Sequence, residues 1–171
     1  DQALSAMKGI EKVAKKTFGD PKNPLLVSCR SGAKFSMPGM MDTILNLGLN
    51  DETVKGLVKH TGDERFAYDA YRRFVQLYAS IAMGVDKKFF DAAFEAKKQG
   101  VAAKNDTDLN TDALKDLVAT YKELYKKQTR KNFPENPLEQ LENAISAVFG
   151  SWETPRAITY RREYKITPEM A

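Results

Sequence analysis

The chain has 171 residues, 42% of them hydrophobic, with 27 basic and 23 acidic side chains, a formal net charge of +4 and a single cysteine. That apolar share supplies an ordinary buried core and excludes wholesale disorder, and the length suits one domain or a small core with an insertion. The basic excess is small and interleaved with carboxylates, which argues against a nucleic-acid surface; Cys29 alone forbids an intrachain disulfide and points to a reducing, cytoplasmic setting; and no apolar run approaches the roughly 20 residues a bilayer span needs.

From Ala3 to Phe18 the residues Leu4, Met7, Ile10, Val13 and Ala14 recur at helical spacing, and Gly19-Asp20-Pro21 is the expected stop. Pro24-Leu25-Leu26-Val27 reads as a short buried strand running into Ser28-Cys29-Arg30. Ser31 to Met41, with Gly32, Pro38 and Gly39, reads as an irregular loop. Asp42 to Leu49 is ambiguous: Thr43, Ile44 and Leu45 suit a strand, but the stretch ends in turn chemistry at Gly48. After Asn50 the pattern turns helical. Asn50 or Asp51 is placed to cap a helix carrying Val54, Leu57 and Val58 and closed by Gly62. Asp63 is placed to cap a longer one with a stripe of Phe66, Ala70, Phe74, Leu77 and Ile81. Asp86 opens a third, with Phe89, Phe90, Ala93 and Phe94, stopped by Gly100. Val101 to Asp108 reads as an exposed turn, and Leu114 to Tyr125 marks a helix terminated by Pro134.

Asn136-Pro137-Leu138-Glu139 sets a cap, a first-turn proline and a glutamate three residues on, ahead of Leu141, Ile145, Val148 and Phe149. Thr154-Pro155 repeats the cap and proline before a helix over 156–164. The expected fold is α+β and predominantly helical: residues 1–50 together with 136–171 form a small α/β portion, and 51–135 a helical subdomain.

The strand-to-loop transition is where chemistry is expected. Arg30 follows a buried strand and precedes Ser31-Gly32, the place where side chains meet ligands in α/β folds. Its guanidinium stays charged and offers a planar fork of donors suited to phosphate oxygens, while Gly32 and Gly39 let main-chain N–H groups approach an anion. Spacing alone equally allows a surface turn with a solvated arginine, because the loop is neither a P-loop nor a dinucleotide fingerprint. Met37, Met40 and Met41 either pack beneath the loop or line a pocket. Asp42 either orients Arg30 or binds a metal, although no second carboxylate is spaced to complete a metal site. Arg156, Arg161 and Arg162 with Tyr160 and Tyr164 form a basic aromatic surface, facing an anion or solvent. His60 sits at a helix C-terminus, where the carbonyl dipoles favour it. A Cys29–His60 nucleophilic pair stands against a buried, inert thiol.

Leu25-Leu26-Val27-Ser28-Cys29-Arg30-Ser31-Gly32-Ala33 and Met37-Pro38-Gly39-Met40-Met41-Asp42-Thr43 through Asp51 resemble the pyruvate, phosphate dikinase family nearly residue for residue. So do Glu64 to Asp69, Tyr71 to Phe74, Ala147 to Trp152, Pro155 to Ala157 and Tyr160 to Arg162, so the resemblance covers essentially the whole chain. Cys29 departs from an expected valine.

The resemblance implies the N-terminal lobe of an ATP-grasp nucleotide-binding domain with a helical-bundle insertion. The implied enzyme converts ATP, phosphate and pyruvate to AMP, pyrophosphate and phosphoenolpyruvate with Mg2+, through a phosphohistidine on another domain of a homodimeric parent. Arg30 matches the phosphate-contacting arginine, assigned as catalytic and nucleotide-binding; Gly39, Met40 and Met41 match the loop over the phosphates. The family's phosphate-binding lysine is expected before Asp1 and its Mg2+ carboxylates beyond Ala171, so this piece alone is expected to be inactive. No metal ligand is assigned within it, and neither a nucleic-acid nor a membrane partner is expected. A eukaryotic parent allows an organellar location in place of the cytoplasm. The alternatives are a phosphoenolpyruvate synthase-type dikinase, which the Ser36-Met37-Pro38-Gly39 wording fits less well, and a helical interaction module over 51–131 without ligand chemistry.

Overall fold

The structure, a computed structural model, describes residues 2–32, 37 and 39–167. It is a predominantly helical α+β arrangement with two small two-stranded sheets. Helix α1 (Gln2–Ala14) leads to β1 (Thr17–Phe18), which pairs in parallel with β2 (Pro24–Leu25). Strand β3 (Val27–Arg30) pairs antiparallel with β4 (Thr43–Leu47). The helices α2 (Thr53–Thr61), α3 (Glu64–Ala82), α4 (Lys88–Gly100), α5 (Thr111–Thr129), α6 (Pro137–Gly150) and α7 (Pro155–Glu163) follow, with a 3-10 turn at Ser151–Glu153 before α7.

Helix α1 ends earlier than its apolar spacing predicts. Lys15 takes a left-handed φ of 53°, and Thr17–Phe18 is a strand instead of a final helical turn. Of its apolar stripe only Met7 is buried, and Val13 is 85% exposed. The expected strand before the loop is two strands, β2 and β3, belonging to different sheets.

The ambiguity over Asp42–Leu49 has a physical cause. The register advances from Val27↔Leu47 to Cys29↔Ile44, so β4 carries an extra residue, and Asn46 sits there at φ 62°. A bulge of this kind breaks strand alternation, and asparagine tolerates the left-handed region better than most residues. It lets Ile44 and Leu47, three residues apart, both be fully buried.

Three of the caps predicted from side-chain chemistry are present, at Asn50, Asp63 and Asn136, whereas Thr154 makes no side-chain cap bond to α7. Asn50 Oδ1 accepts the N–H groups of Glu52 (3.0 Å) and Thr53 (2.7 Å), and Thr53 Oγ1 accepts the Asn50 N–H in return (2.8 Å). Asp63 Oδ1 accepts from Phe66 N at 2.8 Å, and Asn136 Oδ1 from Leu138 N at 2.9 Å. Gly62 closes α2 at φ 69°. The buried face of α3 is rotated from the expected stripe. It centres on Ala67, Ala70, Tyr71, Phe74, Val75 and Tyr78, while Phe66 is half exposed and Leu77 and Ile81 are only partly covered. Helix α5 stops at a left-handed Arg130, ahead of Pro134. Within 101–108 a short 3-10 turn forms at Asp106–Asp108, closed by a reciprocal Asn105–Asp108 cap. On α6, Leu141 and Val148 are buried, but Leu138 and Phe149 face outward.

One hydrophobic core runs from Leu25, Ile44 and Leu47 through Phe74 and Tyr78 to Leu114, Tyr121 and Leu141. Phe133 stands edge-on to Phe74, Tyr78 and Tyr125, with centroids 5.8, 5.3 and 5.4 Å away, a favourable geometry for ring quadrupoles. Helix α6 packs on β3, β4 and α3, which sets the exit of β3 against the C-terminal half of α6.

Candidate functional site

Strand β3 ends at Arg30, whose backbone pairs with Thr43 of β4. Beyond it a cavity of about 460 Å3 opens between Cys29, Arg30 and Met41 on the strand side and Ile145, Val148 and Trp152 on the helix side. The Arg30 side chain is exposed on the rim of this apolar pocket. Among the described residues its Nε reaches only the Ser31 carbonyl, at 3.5 Å, and it makes no ion pair. Two further arginines, Arg72 and Arg73, line a second cavity of about 910 Å3 beside α3, but both are held by Asp69, at 2.5 and 2.9 Å.

The loop after Gly32 returns to a seat built by residues 151–156. Met37 is buried against Trp152 and Ile166, and Met40 and Met41 pack on the same cluster. Gly39 takes a left-handed φ of 72°, and the Met40 N–H closes the turn on the Met37 carbonyl at 3.1 Å. The methionines therefore pack beneath the loop, and Met41 lines the cavity as well. Gly39 and Met40 lie on the turn, outside the cavity wall. The loop residues Ala33 to Ser36 and Pro38 lie outside the described residues.

Asp42 does not orient Arg30. Its carboxylate is bound by Arg156 Nη2, and its N–H donates to Ser151 Oγ at 3.1 Å. Arg156 Nε also donates to the Met40 carbonyl at 2.9 Å. The expected basic aromatic surface is thus three separate arrangements. Arg161 is buried, with its guanidinium carbon 4.6 Å from the Trp152 ring centroid and Nη2 donating to the Trp152 carbonyl at 3.2 Å. Arg162 is exposed, and Tyr160 stacks on Tyr164 with centroids 4.3 Å apart. His60 spends its Nε2 on the Lys22 carbonyl, at 3.0 Å. Burial pushes the Cys29 thiol up, opposite to the depressed value a nucleophile needs. No group of three or more His, Cys, Asp or Glu able to hold a metal ion occurs among the described residues. Nor is any helix among them long and apolar enough to cross a membrane.

Residues 2–171 match the family model described as pyruvate phosphate dikinase, AMP/ATP-binding domain. The chain belongs to this family. The pyruvate phosphate dikinase relatives include a protein of Entamoeba histolytica named pyruvate, phosphate dikinase, 54% identical over the whole chain and 19% of that protein. A Clostridium symbiosum protein of the same name is 52% identical over 95% of the chain and 19% of its own length. Pyruvate, phosphate dikinase 1, chloroplastic, of Zea mays is 48% identical over 97% of the chain and 17% of its own length. The chain thus spans about a fifth of the length of these dikinase-family relatives.

Sequence reasoning places Arg30 at the strand exit but does not find the seat of the dikinase-family loop. Ser151 and Arg156 meet Asp42 and Met40 across separations of 109 and 116 residues. The available signal is the Ser151-Trp152 and Pro155-Arg156 wording, which reads as helix-terminus chemistry until the fold brings it to the loop.

Proposed function

We propose that this chain is part of the nucleotide-binding domain of a pyruvate, phosphate dikinase. That enzyme converts ATP, phosphate and pyruvate to AMP, pyrophosphate and phosphoenolpyruvate through a phosphohistidine carried on another domain. The family match over 2–171 and the names of the relatives support it. The observation that carries it is Arg30, a guanidinium without a carboxylate partner among the described residues, on the rim of an apolar cavity at a strand exit. In the same reading residues 1–50 and 136–171 form the α/β part of an ATP-grasp lobe and 51–135 the inserted helices. Helix α6 packs back onto β3 and β4, in line with that division, while α3 of the inserted part packs on β4 as well. The reducing interior expected from one free cysteine suits the cytoplasm, and the chloroplastic maize relative supports an organelle for a plant-like parent.

Phosphoryl transfer depends on positioning and on neutralising charge as it develops. Arg30 holds its charge at every working pH and offers two parallel donors to phosphate oxygens from the cavity rim. Gly39, Met40 and Met41 lie across the adjoining turn, where the left-handed glycine leaves no side chain between backbone and ligand. The apolar wall of Ile145, Val148 and Trp152 lowers the local dielectric, which strengthens the arginine–phosphate attraction. Mg2+, when bound in such an enzyme, neutralises phosphate charge; the carboxylates for it are expected outside this chain.

In the full-length protein Arg30→Ala removes one charge-assisted contact, about 1.5–3 kcal/mol or roughly a 10- to 150-fold slowing of histidine phosphorylation by ATP. The exchange between the phosphohistidine and pyruvate is expected to stay within about twofold, since it does not use this site. Equal loss of both half-reactions would refute the assignment. Consumption of ATP that needs no inorganic phosphate would favour the phosphoenolpyruvate synthase type instead.

A further inference from the structure

We propose that Arg156 is a positioning residue that clamps the Gly39–Asp42 turn to the 151–156 segment and so presents the turn to the nucleotide. The inference rests on the functional reading above and deepens it.

The turn has little of its own to hold it. Among the described residues it is closed by one backbone hydrogen bond, from Met40 N–H to the Met37 carbonyl, around a left-handed Gly39. Glycine loses more conformational freedom on ordering than any other residue, so the turn's fixed shape must come from elsewhere. Arg156, in the first turn of α7, bridges it twice, through Nε to the Met40 carbonyl at 2.9 Å and through Nη2 to the Asp42 carboxylate. Ser151 adds a third tie by accepting the Asp42 N–H, while its own hydroxyl donates to the Val148 carbonyl at 2.7 Å. Trp152 supplies the apolar floor beneath Met37, Met40 and Met41.

The Arg156 and Asp42 side chains are 49% and 24% exposed, so the ion pair by itself contributes little. The geometry matters more. Only a planar fork places one donor on a main-chain carbonyl and a second on a carboxylate two residues further on, at fixed separation. The result pins both ends of the segment whose middle residue, Met41, forms part of the cavity wall opposite Arg30's helix-side neighbours. Arg156 itself does not line that cavity, so its influence on a ligand passes through the turn.

The test uses the full-length protein and three variants, Arg156→Ala, Arg156→Lys and Asp42→Asn. Deuterium exchange of the peptide over 37–42 is expected to quicken about tenfold in Arg156→Ala, the scale of losing one charge-assisted bond near the surface. The KM for ATP in the ATP half-reaction is expected to rise by a similar factor, with the phosphohistidine–pyruvate exchange unchanged. Arg156→Lys keeps a charge but lacks the fork, and is expected to fall between wild type and alanine in both readouts. Asp42→Asn retains shape and removes only the charge, so it decides the matter if Arg156→Ala does not fold. Unchanged exchange over 37–42 in these variants would overturn the clamp, and so would a loosened turn with unaltered KM for ATP. If Arg30→Ala spares the ATP half-reaction, the nucleotide reading fails separately, and exchange over 37–42 still judges the clamp.

Discussion

Replacing Gln140 with leucine isolates the polar tie between the β4 exit and α6. The side chain is fully buried on α6. Its Oε1 accepts the Gly48 N–H at 3.0 Å, and its Nε2 donates to the carbonyls of Leu49 (2.9 Å) and Pro134 (2.8 Å). Leucine has a similar volume, so the change leaves no large void. It strands one N–H and two carbonyls in the interior, each costing about 1–3 kcal/mol when unsatisfied. Burying the added apolar surface returns about 1–2 kcal/mol. The net loss is therefore expected to be about 1–8 kcal/mol, centred near 3 kcal/mol, a large share of the 5–15 kcal/mol typical of a folded domain. Urea unfolding followed by circular dichroism reads this as a midpoint shift of about 1–2 M, for a denaturant slope near 2 kcal/mol/M. A loss under about 1 kcal/mol would refute the reasoning, since it would mean that the three backbone groups find other partners at no cost.

Two glycines make opposite predictions. At Gly56 in α2 an added Cβ would lie 2.1 Å from the Pro21 carbonyl oxygen, so Gly56→Ala is expected to cost about 2–3 kcal/mol despite alanine's better helix propensity. At Gly9 in α1 nothing lies within 4 Å, and Gly9→Ala is expected to gain about 0.5–1 kcal/mol; thermal midpoints moving in the same direction would contradict the packing argument. Burial pushes the hydroxyls of Tyr78 and Tyr121 each up to about 12. Because the folded value lies above the unfolded one near 10, their stabilisation is complete below about pH 10 and is lost as pH rises toward 12. The urea midpoint should fall across that window, less steeply in Tyr78→Phe and Tyr121→Phe, and a flat profile would sink the expectation.

What was legible in the sequence follows the range of the interactions involved. Asn50, Asp63 and Asn136 act within three residues of themselves, and their caps are readable from spacing. Gly62 closes α2 for the same local reason. The face of α3 is not readable in the same way, because α5 packs along it and α2, α6 and β4 also rest on it. Four neighbours bury a broad arc, and a single five-residue stripe understates it. Asn46 is harder still. Its left-handed backbone reverses strand alternation, so Ile44 and Leu47 follow neither a strand nor a helix period. In the candidate site Arg30 is legible from a strand followed by a glycine-bearing loop. Asp42 misleads, because its partner Arg156 comes 114 residues later and nothing local announces it.

The arginines make the functional argument sharper than any one contact. Arg65 donates to the carbonyls of Leu109 and Asp106, Arg72 and Arg73 share Asp69, Arg156 holds Asp42 and Met40, and Arg161 lies over Trp152 with Glu153 nearby. Each of those guanidiniums has a structural task that accounts for its presence. Arg30 has none among the described residues, since a 3.5 Å contact to the adjacent carbonyl is at the limit of a hydrogen bond; the exposed Arg130 and Arg162 also lack an ion pair there, but Arg30 is the one of the three that borders the apolar cavity. An exposed charge at the edge of an apolar cavity, with no carboxylate beside it among the described residues, adds little to stability. Under the proposed function, an anion entering the cavity would supply the missing partner beside its apolar walls, where the attraction is strengthened. The same physics makes Arg30→Ala a double test: removal of a purely ligand-directed charge should leave the unfolding midpoint unchanged or slightly raised, while the ATP half-reaction slows.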